Sequence, residues 1–230
     1  MTSWTEFWGG KHSIYASPRH VAAHFRRLTE DLVAVLPPQP NLRILDYGCG
    51  DALGAPSLVA LGHTVALYDA ATEVQARIAR RYAGDSRITV LDEDALAARL
   101  GCFDAIIVSS VIQYIPRAAL PPTIARWRRL LAPGGVLIVA DVIRPGASMA
   151  EDVADLLGFA WCEGFFLAAV WGLVRTLFSD YRRMRRTLGL ARYDEREFLG
   201  HLSAGGFRAE VLTRNPGPNR HRRGFRGIGT

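Results

Sequence analysis

Acidic residues in this chain fall where apolar runs stop, and glycines follow the first of them. Asp46 ends the run Arg43-Ile44-Leu45, and Gly48, Gly50 and Gly54 come directly after it. A carboxylate at the end of a buried strand needs a donor or a cation to offset its desolvation. Gly48 and Gly50 can take positive φ and let the backbone approach a ligand closely. Together they read as one end of a site for a ligand bearing an ammonium or another hydrogen-bond donor. Asp69 stands 19 residues beyond Gly50, at the end of the apolar run His63–Tyr68. In a βαβ unit this is where an acidic residue takes ribose hydroxyls. A carboxylate can accept two such bonds at once. The alternative for Asp69 is a helix N-cap, because Ala70 and Ala71 begin a helical run.

Candidate catalytic groups are fewer. His20 and His24 stand four apart on the polar side of an expected N-terminal helix. They read as surface histidines, as active-site groups, or as half of a metal site; no third ligand is evident, so no metal is expected. Tyr114 follows the apolar run Phe103–Ser110. As a base it would need a strongly lowered pKa. No carboxylate pair and no Cys-His arrangement stands out. Cys49, Cys102 and Cys162 are scattered and odd in number, which fits a reducing compartment.

The elements that must position these groups alternate. Ser17-Pro18 opens a helix with Val21, Phe25, Leu28, Leu32 and Leu36 on one face, and Pro37-Pro38 stops it. Strands are expected at Leu42–Tyr47, His63–Tyr68, Ile88–Leu91, Phe103–Ser110 and Val136–Val142. Helical runs separate them, the last opened by Pro121-Pro122. Ser148 and Glu151 form a capping box for a helix to about Gly158. The stretch Gly164–Val174 is uncharged and apolar, too short for a bilayer span of about 20 residues. Ser179 opens a basic amphipathic helix carrying Arg182, Arg183, Arg185 and Arg186. A last helix over Asp194–His201 and strands at Arg208–Thr213 and Gly224–Ile228 close the chain. Strands alternating with helices define an α/β protein of one domain.

Leu45-Asp46-Tyr47-Gly48-Cys49-Gly50 resembles the first motif of the class I S-adenosylmethionine-dependent methyltransferases, and the likeness runs through residues 43–143. It implies a doubly wound, mostly parallel seven-stranded Rossmann-like sheet, from which the stretch Arg144–Tyr193 departs as a helical insert after strand five. It implies S-adenosyl-L-methionine as cofactor, S-adenosyl-L-homocysteine as product and methyl transfer as the reaction. Asp46, Gly48, Cys49 and Gly50 would then face the methionyl portion and Asp69 with Ala70 the ribose. Asp94 and Ala95 would meet the adenine, although Asp92 and Glu93 blur that assignment, and Ser109 at the end of strand four would face the cofactor. The family's N-terminal helix lies over the cofactor cleft, which would bring His20 and His24 near the transferred methyl. Many members carry Glu-His where this chain has Gln113-Tyr114, so a possible base is missing. The implied layout is 1–40 as segment and covering helix, 41–145 with 194–230 as core, and 146–193 as insert.

Charge and composition bear on partners. Residues 175–230 carry 13 basic and 5 acidic side chains, so the C-terminal quarter holds about +8 of the net +6, against −2 elsewhere. Such asymmetry suggests an anionic partner or a solvated arginine face. Nucleic acid is disfavoured: from Arg208 onward only Phe225 interleaves with the arginines, and the Asp/Asn-Pro-Pro-aromatic tetrapeptide is absent at Ser109-Ser110-Val111-Ile112. Five aromatics in Phe159–Trp171 suit an apolar or amphipathic small-molecule acceptor, lipid- or isoprenoid-like. The insert reads as a cap over the site, as a contact with an anionic membrane through Arg182, Arg183, Arg185 and Arg186, or as a homo-oligomer interface. The N-terminus has no charged-then-apolar leader, so the expected location is cytoplasmic or peripheral on the inner face of the membrane.

Overall fold

The structure is a computed structural model that describes Trp4, residues 15–177 and residues 189–230. One seven-stranded sheet organises it, with strands in the order β3-β2-β1-β4-β5-β7-β6. The strands are β1 Arg43–Tyr47, β2 Thr64–Tyr68, β3 Ile88–Val90, β4 Phe103–Ser109, β5 Leu131–Val142, β6 Phe207–Val211 and β7 Arg223–Gly229. β7 runs antiparallel to both of its neighbours, β5 and β6, while the pairs among β1 to β5 are parallel. This is the doubly wound, Rossmann-like sheet the sequence implied.

Alternation along the central strands supplies two cores. Leu45, Ile106, Val108, Leu137 and Val139 face a cluster holding Trp127, Tyr193, Phe198 and Phe225. Their neighbours Ile44, Ala105, Ile107, Val136 and Ile138 face a second cluster with Leu58, Leu67 and Ile78. Strands buried on both faces need such unbroken apolar runs, since successive side chains point to opposite sides.

The helices are α1 Pro18–Val33, α2 Ala55–Ala60, α3 Thr72–Tyr82, α4 Glu93–Ala97, α5 Leu120–Leu130, α6 Met149–Glu163, α7 Phe166–Leu177 and α8 Glu195–Ala204. Ser17 caps α1 by accepting from the His20 N–H at 3.1 Å, with proline in the first turn. The capping box of Ser148 and Glu151 is formed at the start of α6. That helix does not stop at Gly158. One interior glycine costs only about 1 kcal/mol, and α6 runs on to Gly164, whose φ of 72° ends it in the left-handed region. The apolar stretch after Gly164 is a second helix, α7, packed on α6. The basic helix expected at Arg182, Arg183, Arg185 and Arg186 lies outside the described residues.

Most strand ends differ from expectation by one or two residues, and the differences at β5 and β4 have a visible cause. β5 begins at Leu131, which pairs with Phe103 before the register shifts. β4 stops at Ser109, because Ser110 turns out of the strand at φ 58°.

The α6–α7 hairpin is tied down by polar contacts at its ends. Asp152 takes Arg222 at 2.7 Å, Asp155 takes His221 at 2.9 Å, and Glu151 takes Arg144. At its other end Glu163 holds Arg26 of α1 at 2.6 Å, and its carbonyl accepts from Arg19 at 2.7 Å. Between them a small apolar cluster forms from Ala23, Ala160, Phe165 and Ala169. The insert therefore rests on α1 and on the loop before β7.

Candidate active site

A cavity of about 980 Å³ opens at the carboxyl ends of β1, β2 and β4. In open α/β sheets the crevice outside these ends is where ligands bind. Asp46, Gly48, Cys49, Gly50, Asp69, Ala70 and Ser109 line it, as do His24 and Tyr114. His20, Asp94 and Ala95 do not line it.

The glycine turn is locked to the end of β2. The N–H groups of Gly48 and Cys49 donate to the Tyr68 carbonyl at 2.7 and 3.1 Å, and the Gly50 N–H donates to Asp69 Oδ2 at 3.0 Å. Asp69 Oδ1 accepts from the Ala71 N–H at 3.0 Å. One oxygen thus braces the glycine turn and the other the start of α3, and each keeps a lone-pair direction. Burial pushes the Asp69 carboxyl up, opposed by these N–H donors. Arg77 of α3 fastens the same turn from outside, donating to Asp51 Oδ1 at 2.8 Å.

Asp46 has no such support. Among the described residues nothing donates to its carboxylate. Burial first, and the charge of Asp69 second, push it up to about 7. The residue is half-buried and lines the cavity. A carboxylate in this position is poised to take a donor or a cation.

Among the described residues, the side chains of two members of the acidic run after β3 have partners and that of Asp94 has none. Asp92 caps α4 by accepting from the Ala95 N–H at 2.8 Å, and Glu93 accepts from the Tyr68 hydroxyl at 2.7 Å and pairs with Arg126 at 2.7 Å. Asp94 is exposed in the first turn of the helix.

The histidines are not surface groups. His20 is 6 % exposed and its ring stacks on Phe165 of the insert, centroids 4.6 Å apart. The helical face that seemed polar is buried because the insert covers it, which the periodicity of α1 by itself does not reveal. His24 sits one turn on and faces the cavity, with Tyr15 edge-on at 5.3 Å. Burial, and then the neighbouring His20, lower His24 to about 4, so it is neutral at pH 7. Tyr114 meets Trp4 with ring centroids 4.8 Å apart.

A polar network at the far end of β4 escaped the sequence reading. Asp141 is buried at the end of β5 with φ 67°, next to Ser110 at φ 58°. Ser110 Oγ donates to Asp141 Oδ2 at 2.8 Å and Asn219 Nδ2 donates to Oδ1 at 2.9 Å. The Asp141 N–H donates to Asn215 Oδ1 at 2.8 Å. Two adjacent non-glycine residues in the left-handed region cost free energy and persist only where surroundings hold them, often at functional sites. The available signal was an acid inside the otherwise apolar run Val136–Val142.

Comparisons with known proteins bear on the domain and the fold. A methyltransferase-domain family matches residues 44–135. The ubiquinone biosynthesis O-methyltransferase of Xanthomonas campestris pv. campestris (strain B100) is 32 % identical over 126 residues, covering 52 % of this chain and 51 % of that protein. The protein of the same name from Caulobacter sp. (strain K31) is 34 % identical over 113 residues, covering 46 % and 43 %. The chain spans about half the length of the curated relatives it matches. Among solved structures, a chain of the complex between the Haloferax volcanii Trm112 methyltransferase activator and a methyltransferase superposes with a TM-score of 0.65 at 13 % identity, covering 100 % of this chain and 99 % of that one. A phospholethanolamine N-methyltransferase of Haemonchus contortus superposes at 0.57 with 20 % identity, covering 81 % and 38 %. At these identities the superpositions speak for the fold alone. Residues 44–135 thus match a methyltransferase domain, and they sit in a seven-stranded Rossmann-like sheet whose glycine turn lies between two acidic strand ends.

Proposed function

We propose that the protein transfers a methyl group from S-adenosyl-L-methionine to a small apolar or amphipathic acceptor, lipid- or isoprenoid-like. The observation that carries the reading is the convergence of Asp46, Asp69 and the Gly48–Gly50 turn on one wall of one cavity. The residues present fit the cofactor. A Cβ at Gly50 would meet nothing within 4 Å, so open space lies beside the turn. Asp46 would take the ammonium side and Asp69 the ribose hydroxyls. When bound, the cofactor supplies an electrophilic methyl on a sulfonium. The protein holds and aligns the partners, and this is where most of the rate gain in such a displacement can arise.

Apolar side chains make up much of the remaining wall, among them Phe25, Leu28, Val111, Ile115 and Leu190. They favour a greasy acceptor and exclude water. The curated relatives' name, ubiquinone biosynthesis O-methyltransferase, supports a lipid-like acceptor. A nucleic-acid substrate gains no support from the C-terminal arginines. Arg222, Arg223, Arg226 and Arg214 are paired with Asp152, Glu195, Glu210 and Asp31.

Replacing Asp69 by alanine is expected to weaken S-adenosylmethionine binding roughly a hundredfold, because two charge-assisted hydrogen bonds of about 1.5 kcal/mol or more are lost. Isothermal titration calorimetry measures this, and an unchanged affinity would remove the reading.

The proposal extends to a membrane surface. Trp161 (75 % exposed), Leu167 (83 %) and Trp171 (65 %) project from the insert with Val170 and Val174. Among the described residues no helix is long and apolar enough to cross a membrane. In the sequence Arg182, Arg183, Arg185 and Arg186 come shortly after this stretch. Exposed Trp and Leu beside basic residues are the composition of a helix lying in the interface. The protein is expected to float with anionic liposomes at low salt, and Trp161→Ser with Trp171→Ser to abolish flotation. A wild-type protein that stays in the aqueous fraction would leave the insert as a cap alone.

A further inference from the structure

Methyl transfer to a hydroxyl oxygen releases a proton, and on the reading above Asp46 and Asp69 are engaged by the cofactor. His24 is half-buried and lines the same cavity as those two carboxylates and the glycine turn. Helix α1 brings it there. A Cβ at Gly54 would lie 3.0 Å from Thr29 Oγ1 and 3.8 Å from Phe25 Cδ1, so α1 packs directly on the loop that follows the turn. Farther along α1, Asp31 Oδ2 accepts from the Gly217 N–H at 3.0 Å, which ties the helix to the loop before β7. His24 shares the cavity wall with Phe25, Leu28 and Thr29 of the same helix.

The chemistry of the neighbouring groups separates His24 from them. Its ring meets Tyr15, Phe25 and His20, with centroids 5.3, 5.2 and 6.3 Å away, and among the described residues no hydrogen bond takes a ring nitrogen. A neutral imidazole keeps one nitrogen as an acceptor. His20, by contrast, spends its Nδ1 on the Ala16 N–H at 3.1 Å, stacks on Phe165 and does not line the cavity. A tyrosine hydroxyl ordinarily holds its proton to about pH 10. Burial, with the charges of Asp51 and Asp141, pushes Tyr15 higher still. Burial also pushes the Cys49 thiol up, and Asp51 is held by Arg77 at 2.8 Å.

We propose that His24 is the general base that takes the proton from a hydroxyl on the methyl acceptor. This deepens the methyltransferase reading and rests on it. The hydroxyl oxygen bonds to the methyl carbon, and the carbon–sulfur bond breaks with its electron pair left on sulfur. The hydroxyl proton passes to the unprotonated ring nitrogen, and the imidazolium then releases it to water. Burial makes His24 a weak base at rest. An oxygen gaining a methyl becomes a far stronger acid than imidazolium, so the proton still moves downhill. The charge of Asp141, which Ser110 and Asn219 hold in place, favours the protonated ring.

The test uses the full chain with 4-octylphenol and 4-octylbenzenethiol as acceptors at pH 8, where the thiol is already ionised and the phenol is not. His24→Gln is expected to lower turnover of the phenol about a hundredfold, and turnover of the thiol less than threefold. S-adenosylhomocysteine affinity, by calorimetry, should stay within threefold of wild type. His20→Gln should change phenol and thiol turnover by the same factor, because its part is structural. A second readout needs no turnover. In protein carrying isotope-labelled histidine and saturated with S-adenosylhomocysteine, 4-octylphenol should shift the ring-nitrogen resonances of His24. 4-Octylanisole, which has no proton to donate, should leave them in place. Equal losses on phenol and thiol in His24→Gln, phenol transfer that survives it, no transfer to the phenol by wild type, or equal shifts with phenol and anisole would each overturn the proposal. Failure of S-adenosylhomocysteine itself to bind would instead overturn the methyltransferase reading.

Discussion

Asp46→Asn is expected to make the ligand-free protein more stable at pH 8 and nearly unable to hold S-adenosylmethionine. Burial raises the Asp46 carboxyl from its ordinary 3.8 to about 7. The sign follows from proton binding. The folded state binds the Asp46 proton more tightly than the unfolded chain does. The ionised carboxylate therefore costs stability in full above pH 7, and the cost disappears as pH falls toward 4. Allowing for water in the cavity, the penalty is roughly 2–4 kcal/mol. Asparagine has nearly the same shape and no charge. The variant should melt roughly 5–10 °C higher than wild type at pH 8. Its advantage should vanish at pH 4. Cofactor affinity should fall about a hundredfold, because a buried charge that waits for its ligand has lost its partner. Scanning calorimetry at both pH values, with a cofactor titration, checks the three parts together. A variant less stable than wild type at pH 8, or an advantage that persists at pH 4, would show that Asp46 is not held as an unpaired buried charge.

The second large effect is expected at the turn. Gly48 has φ 75°, and its N–H donates to the Tyr68 carbonyl at 2.7 Å. A Cβ there would lie well inside contact distance of Val111 Cγ2. Gly48→Ala therefore pays twice: about 1–2 kcal/mol for a left-handed alanine, and about 1–3 kcal/mol for displacing Val111. The expected loss is roughly 3 kcal/mol, with cofactor affinity too weak to measure. Adding Val111→Ala should recover the steric share only. Gly50→Ala is the control. Its φ is 53°, but a Cβ there meets nothing within 4 Å, so only the backbone penalty applies. Urea melts of the three variants would decide. Equal losses at Gly48 and Gly50 would show that Val111 does not press on the turn.

Much of the cavity wall around the glycine turn was legible without coordinates because it depends on local rules. Asp46, Gly48 and Gly50 belong to one strand-to-helix connection, and Asp69 ends the next strand. In a parallel sheet, adjacent strand ends necessarily lie side by side, so sequence spacing translates directly into spatial proximity. The same reasoning placed the strands to within a few residues. The acidic run was less legible. Asp92, Glu93 and Asp94 are equivalent by composition, and only packing shows that Asp92 caps α4, Glu93 meets Tyr68 and Arg126, and Asp94 stays exposed.

By itself, then, the sequence determined the sheet, the glycine turn and the two carboxylates beside it, since apolar periodicity and strand-end position act over a few residues. The tertiary structure alone decided what faces them. His20 is buried because a segment 145 residues away, at Phe165, lies on it. Ser110 becomes an acceptor because Asp141 takes its hydrogen, and Asp141 stays in place because Asn215 and Asn219 reach it from the loop before β7. Those contacts join residues far apart in the chain, and no local pattern encodes which distant donor will satisfy a given buried acceptor.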